Sequence, residues 1–181
     1  MDKLKIFGCI VLLMFAAGCA STVPKPQFSK EIAPECLVVA QDAAQVHVEA
    51  GKDVAMIDSE MMRMAEKVKL KIDEYKVANT KNGFAKSYQV DLVITRYEKG
   101  NAFARAMLAG LGQIHLDGDV SVYELPDRLL VGQFAISKTF AWGGIYGASM
   151  NMENIETTFA EGVAAAVTGH VTEEEKASKS D

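Results

Sequence analysis

Residues 88–97 read Tyr-Gln-Val-Asp-Leu-Val-Ile-Thr-Arg-Tyr. Tyr88, Val90, Leu92 and Ile94 fall at every second position, with Gln89 and Asp91 among them. A period of two marks a strand with one face on a core and the other in water. Two further runs behave alike. Within 113–123, Ile114, Leu116, Val120 and Val122 share a face, with Gly118 in the series. Within 129–140, Leu130, Phe134, Ile136 and Phe140 do the same. Pro126-Asp127 supplies the turn between them and predicts an antiparallel hairpin.

The period changes on either side of these strands. Over 59–77, Ile57, Met61, Met64, Ala65, Val68, Ile72 and Tyr75 recur at three- and four-residue steps, which predicts a helix with one apolar face. Arg63, Glu66, Lys67, Lys69, Lys71 and Asp73 fall on its other face, Asp58 or Ser59 can cap its start, and 79–83 give a stop and turn. Upstream, 37–40 and 45–49 are short apolar or alternating stretches, of which one or both should be strand. Downstream, 153–170 predict a last helix with Ile155, Phe159, Val163, Ala166 and Val167 inward. The order is β-α-β-β-β-α. It predicts an α+β fold: a two-layer sandwich of one mixed sheet with both helices packed on one face, leaving the other face open.

Outside this domain the composition shifts. Lys3 and Lys5 precede an apolar run from Ile6 to Ala17, closed by Gly18, Cys19, Ala20 and Ser21. Positive charge, a short apolar stretch and small residues make a secretory signal, too short for a comfortable membrane span. Small residues directly before a cysteine make it a lipoprotein signal over 1–18, with Cys19 the lipidated first residue of the mature chain. Attachment then rests on palmitate-type acyl chains, at roughly 0.8 kcal/mol per buried methylene. Ala20 in place of Asp tilts the expectation towards the outer membrane. Residues 19–35 hold Pro24, Pro26 and Pro34 and read as an extended tether. The single domain is expected over 36–170, and 171–181 as a disordered acidic tail.

The 181 residues carry a net charge of −5, which argues against nucleic acid. Of three cysteines, Cys9 leaves with the signal and Cys19 is acylated. Cys36 then stands alone, and Leu37, Val38 and Val39 behind it suggest a buried thiol.

Two stretches are rich in glycine and small residues: 100–112, with Phe103, Arg105, Met107 and Leu111, and 139–149, with Trp142 and Tyr146. If exposed, their large apolar side chains form a sticky patch for a partner. The alternatives are a backbone-lined anion or ligand site, or tight connections whose aromatics cap the core. Gly100-Asn101-Ala102 with Arg105, Gly110-Leu111-Gly112, the strand through Asp117 and Asp119, and Phe140-Ala141-Trp142-Gly143-Gly144 with Gly147 resemble an uncharacterised family of bacterial lipoproteins known as a domain of unknown function, DUF4410. The resemblance covers 41–169. It implies an envelope lipoprotein with a small α+β domain and brings no catalytic residues.

Candidate chemistry is thin. His115, Asp117 and Asp119 alternate on one strand face. Neighbours two apart sit roughly 7 Å from each other, so one metal could not take all three unaided, and they read as a solvated polar face. No metal or cofactor is expected. No Gly-x-Ser-x-Gly or comparable nucleophile setting occurs. The expectation is a non-enzymatic protein-interaction or assembly module, lipid-anchored in the outer membrane and facing the periplasm. Its partners are the membrane and another envelope protein, with no nucleic acid. The alternative is a small-molecule or lipid-binding carrier.

Overall fold

The computed structural model describes residues 22–77, 84–107, 111–141 and 149–171, without the side chains of residues 105 and 106. The expected signal, Cys19, the turn expected at 79–83 and the tail expected from residue 172 lie outside them.

The fold is α+β, with the expected layering. Five strands order as β1-β5-β4-β3-β2: β1 Gln27–Lys30, β2 Ala43–Ala50, β3 Ser87–Glu98, β4 Ile114–Leu125 and β5 Leu129–Phe140. Neighbours pair antiparallel, except that β2 runs parallel to β3. A parallel pair needs a crossover, and helix α1, Asp58–Tyr75, provides it. A short helix α2, Ala102–Met107, joins β3 to β4, and α3, Met152–Thr168, closes the fold. Helices α1 and α3 lie side by side on one sheet face.

The alternation reads through into the core. Tyr88, Val90, Leu92, Ile94, Ile114, Leu116, Val120 and Val122 are all fully buried beneath Met64, Val68, Ile72, Ile155, Phe159, Val163 and Val167. Each such aliphatic or aromatic side chain contributes roughly 1.5–3 kcal/mol by leaving water. Gly118 keeps the inward series because a Cβ there would meet Leu92 at 2.9 Å and the Phe159 ring at 3.3 Å. Helix α3 ends on Gly169, whose φ of 69° suits a residue without a side chain.

Of the two short upstream stretches one is strand, as expected: Ala43–Ala50 takes in 45–49, and 37–40 form none. Other expectations need correction. The proline-rich segment is extended, but part of it belongs to the sheet. Gln27–Lys30 pairs with β5, and Phe28 packs on Phe134 with ring centroids 5.2 Å apart. Four residues are too short for a periodic signal. The folded structure therefore starts before Cys36, which is free and only half-buried. Leu130 leaves the inward series, because the β4–β5 register shifts between Val122 and Tyr123 and Val131 turns in instead. Ile57 is 64% exposed and precedes α1. The start of α1 is capped by neither Asp58 nor Ser59: the Glu60 carboxylate reaches back to accept from the Ile57 N–H at 3.2 Å.

Candidate functional site: an apolar rim above a buried ionic brace

The pairings Glu98↔His115 and Ile114↔Phe140 bring the end of β3, the start of β4 and the end of β5 to one end of the sandwich. The connection from β3 to β4 leaves and returns at that end, and 99–107 and 111–113 of it are described. The Asn101 N–H donates to the Gly112 carbonyl at 3.1 Å and closes its neck. Gly100 and Gly112, at φ 65° and 69°, make the two bends that this closure needs. Asn101 Oδ1 accepts from the Ala104 N–H at 3.0 Å and starts α2. In the sequence the glycines of this connection hide the turn of helix that its alanines favour.

Phe103 and Met107, four residues apart, share one side of α2. They are 75% and 67% exposed, and Leu111 beyond them is 56% exposed. These three do not cap the core; they form an apolar rim. Arg105's side chain, Trp142 and Tyr146, expected in the same patch, lie outside the described residues.

The N-terminal segment reaches this same end. The Thr22 carbonyl accepts from Lys138 Nζ, two residues before β5 stops at Phe140. Lys138 is 5% exposed, on the core side of the strand between Ile136 and Phe140. Pro24 then crosses α3 at Gly162, where a Cβ would lie 2.6 Å from the Pro24 carbonyl oxygen and 2.7 Å from Ile136. Between this segment and the end of α3 runs a groove of about 530 Å³, lined by Val23, Pro26, Phe28, Ile32, Leu37 and Ala166 among others.

Below the rim, four side chains lock three elements together. Glu156 on α3 has no exposed side-chain surface. Arg63 on α1 donates to both of its oxygens at 2.8 and 2.7 Å. Lys67 Nζ adds a contact at 3.1 Å, and the Tyr97 hydroxyl on β3 donates at 2.7 Å. Burial pushes the Glu156 carboxyl up. The bonds from Arg63, Tyr97 and Lys67 outweigh it and hold the group below the usual carboxylate range. Burial and the Glu156 carboxylate both raise Tyr97. Lys99 pairs with Glu60 at 2.7 Å and ties the foot of the rim to the start of α1. Arg63 and Lys67, expected on a solvated face, instead meet Glu156, which the sequence alone does not single out. The signal was a carboxylate directly after Ile155 on the inward side of α3, facing basic residues four apart on α1.

The outer sheet face is polar. His115, Asp117 and Asp119 share it as expected, but their contacts diverge. His115 Nδ1 meets Thr139 at 3.0 Å, and Asp117 accepts from Ser137. Among the described residues no three His, Cys, Asp or Glu gather as a metal site would require.

The chain belongs to the family described as Domain of unknown function (DUF4410), whose profile matches residues 10–144. Among solved structures it is similar to the PelC dodecamer from Paraburkholderia phytofirmans. In one crystal form, of a single-substitution variant, the TM-score is 0.51 at 10% identity, covering 80% of this chain and 97% of that one. In another it is 0.50 at 7% identity, covering 81% and 98%. At such identity the likeness is one of fold. No curated protein matches the sequence.

Proposed function

We propose that this member of the DUF4410 family is a non-enzymatic, lipid-anchored assembly module of the bacterial envelope. An acylated Cys19 holds it in the outer membrane, facing the periplasm, and the rim of Phe103, Met107 and Leu111 docks another envelope protein. The rim carries the reading. Large apolar side chains stand in water at the end of the sandwich where Thr22 enters, and Cys19 is three residues before Thr22. Three residues span at most roughly 11 Å, so the rim stays near the membrane surface. The fitting partner presents an apolar surface there, and tethering raises its effective concentration without new contacts.

Two observations support assembly over catalysis. Glu156, the most buried charge among the described residues, has both oxygens engaged by fixed donors, which makes this carboxylate a brace and does not leave it free as an acid or base. PelC, of similar fold, is a dodecamer, a precedent for assembly by this architecture.

The apolar groove beside Phe28 and Ile32 favours a second reading, a small-molecule or lipid carrier. One experiment separates the two. The full chain is crosslinked mildly in cells, extracted in detergent and analysed for proteins and lipids, alongside Phe103→Ser/Met107→Ser. An envelope protein held by the parent and lost from the variant supports docking. A stoichiometric lipid, with no protein and no effect of the variant, supports the carrier.

A further inference from the structure

The sheet has two open edges of unequal character. Strand β2 pairs with β3 over all eight residues without a register shift. The Ala43 N–H donates to the carbonyl of Lys86, just before β3, and the N–H of Gly51, just after β2, donates to the Ile94 carbonyl. In a parallel ladder alternate residues bond alternate sides, so Ala44, Val46, Val48 and Ala50 aim their N–H and C=O groups at the free edge. Edges left open in monomers are shortened, bulged or guarded by Lys and Pro. Strand β2 is neither short nor bulged, has no Lys or Pro and carries one charge, Glu49; among the described residues nothing pairs with its outer edge. The other edge, β1, is short, and all four of its residues are exposed.

The two edges run in opposite directions. Strand β2 is parallel to β3, and three antiparallel steps then lead through β4 and β5 to β1. Two copies side by side in the same orientation therefore bring β1 of one antiparallel to β2 of the next. The alternative, β2 against β2 about a two-fold axis, inverts one copy. Strands of twelve residues are roughly 40 Å long, so inversion puts the two Thr22 ends that far apart. A tether of roughly 11 Å cannot bring both to one membrane.

We propose that the chain assembles head to tail with further copies of itself, β2 of one copy pairing antiparallel with β1 of the next. The argument rests on the anchored reading only for excluding the two-fold. The same placement sets the α1 flank turned away from Arg63 and Lys67, which carries the 61% exposed Met62, beside the groove next to β1. Such an interface is heterologous. It leaves a β1 and a β2 free on each growing assembly, and it closes only as a ring.

The test uses the full chain in its membranes, with Ser29→Cys on β1 and Gln45→Cys or His47→Cys on β2, all at exposed positions. Two single variants expressed together should form a mixed disulfide under mild oxidant. Neither variant alone, nor the parent with its own Cys36, should form one. A chain carrying both substitutions should give a ladder of multimers. Homotypic dimers, or no adduct in any combination, overturn the proposal. Flotation of the same membranes reads the anchor separately, and the adducts are scored whether or not the chain floats.

Discussion

The Arg63 guanidinium holds both carboxylate oxygens of the fully buried Glu156, 93 residues away in sequence. The pair joins α1 to α3, and Tyr97 brings in β3. Removing one partner leaves the others charged and half-desolvated. Glu156→Gln should therefore cost about 3 kcal/mol, the lower end for a broken buried pair, because Arg63 and Lys67 keep some solvent contact. Urea unfolding of variant and parent measures it. A loss below about 1 kcal/mol would show that the brace is not structural.

The same carboxylate sets a pH dependence. Its pKa is depressed in the folded state, so the unfolded chain binds more protons in acid. The stabilisation is fully present above the unfolded value, roughly 4.3, and is lost as pH falls through the folded value. Asp73, held low by Lys69 and Lys76, adds in the same direction. The thermal midpoint should hold from pH 7 to 5 and fall below about 4, and Glu156→Gln should flatten that fall.

Tyr88 is fully buried, and its hydroxyl has no hydrogen-bond partner. Burial pushes its pKa up to about 12. Tyr88→Phe keeps the ring and removes the unpaired group. It should raise stability by up to about 1 kcal/mol in thermal unfolding. A loss of that size would mean that the hydroxyl is satisfied in solution.

Gly162 lets the N-terminal segment cross α3. Gly162→Ala forces the Pro24 carbonyl or Ile136 to move and should cost about 1–3 kcal/mol. The effect should concentrate in 22–32. Hydrogen exchange there should quicken while β3 and β4 stay protected. Uniform quickening would mean that the segment is part of the main cooperative unit.

Strands and helices that repeat over ten residues or more could be read from the sequence, because burial on one face imposes a period. The exceptions are local. Strand β1 is too short to carry a period, and Val131 displaces Leu130 through a bulge that only pairing reveals. Lys138 breaks an inward series by reaching a backbone carbonyl more than a hundred residues earlier. The rim residues Phe103, Met107 and Leu111 were legible as large apolar groups among glycines, but their exposure was not. The brace was hidden because charges on two helices look solvated until the helices are placed side by side.

The most direct test puts a photo-crosslinking amino acid at position 103 or 107 in living cells, with position 133 on the polar outer face as the control. Docking through the rim predicts a discrete envelope-protein adduct from 103 and 107 and none from 133. Adducts to lipid alone, or the same adducts from all three positions, would contradict it.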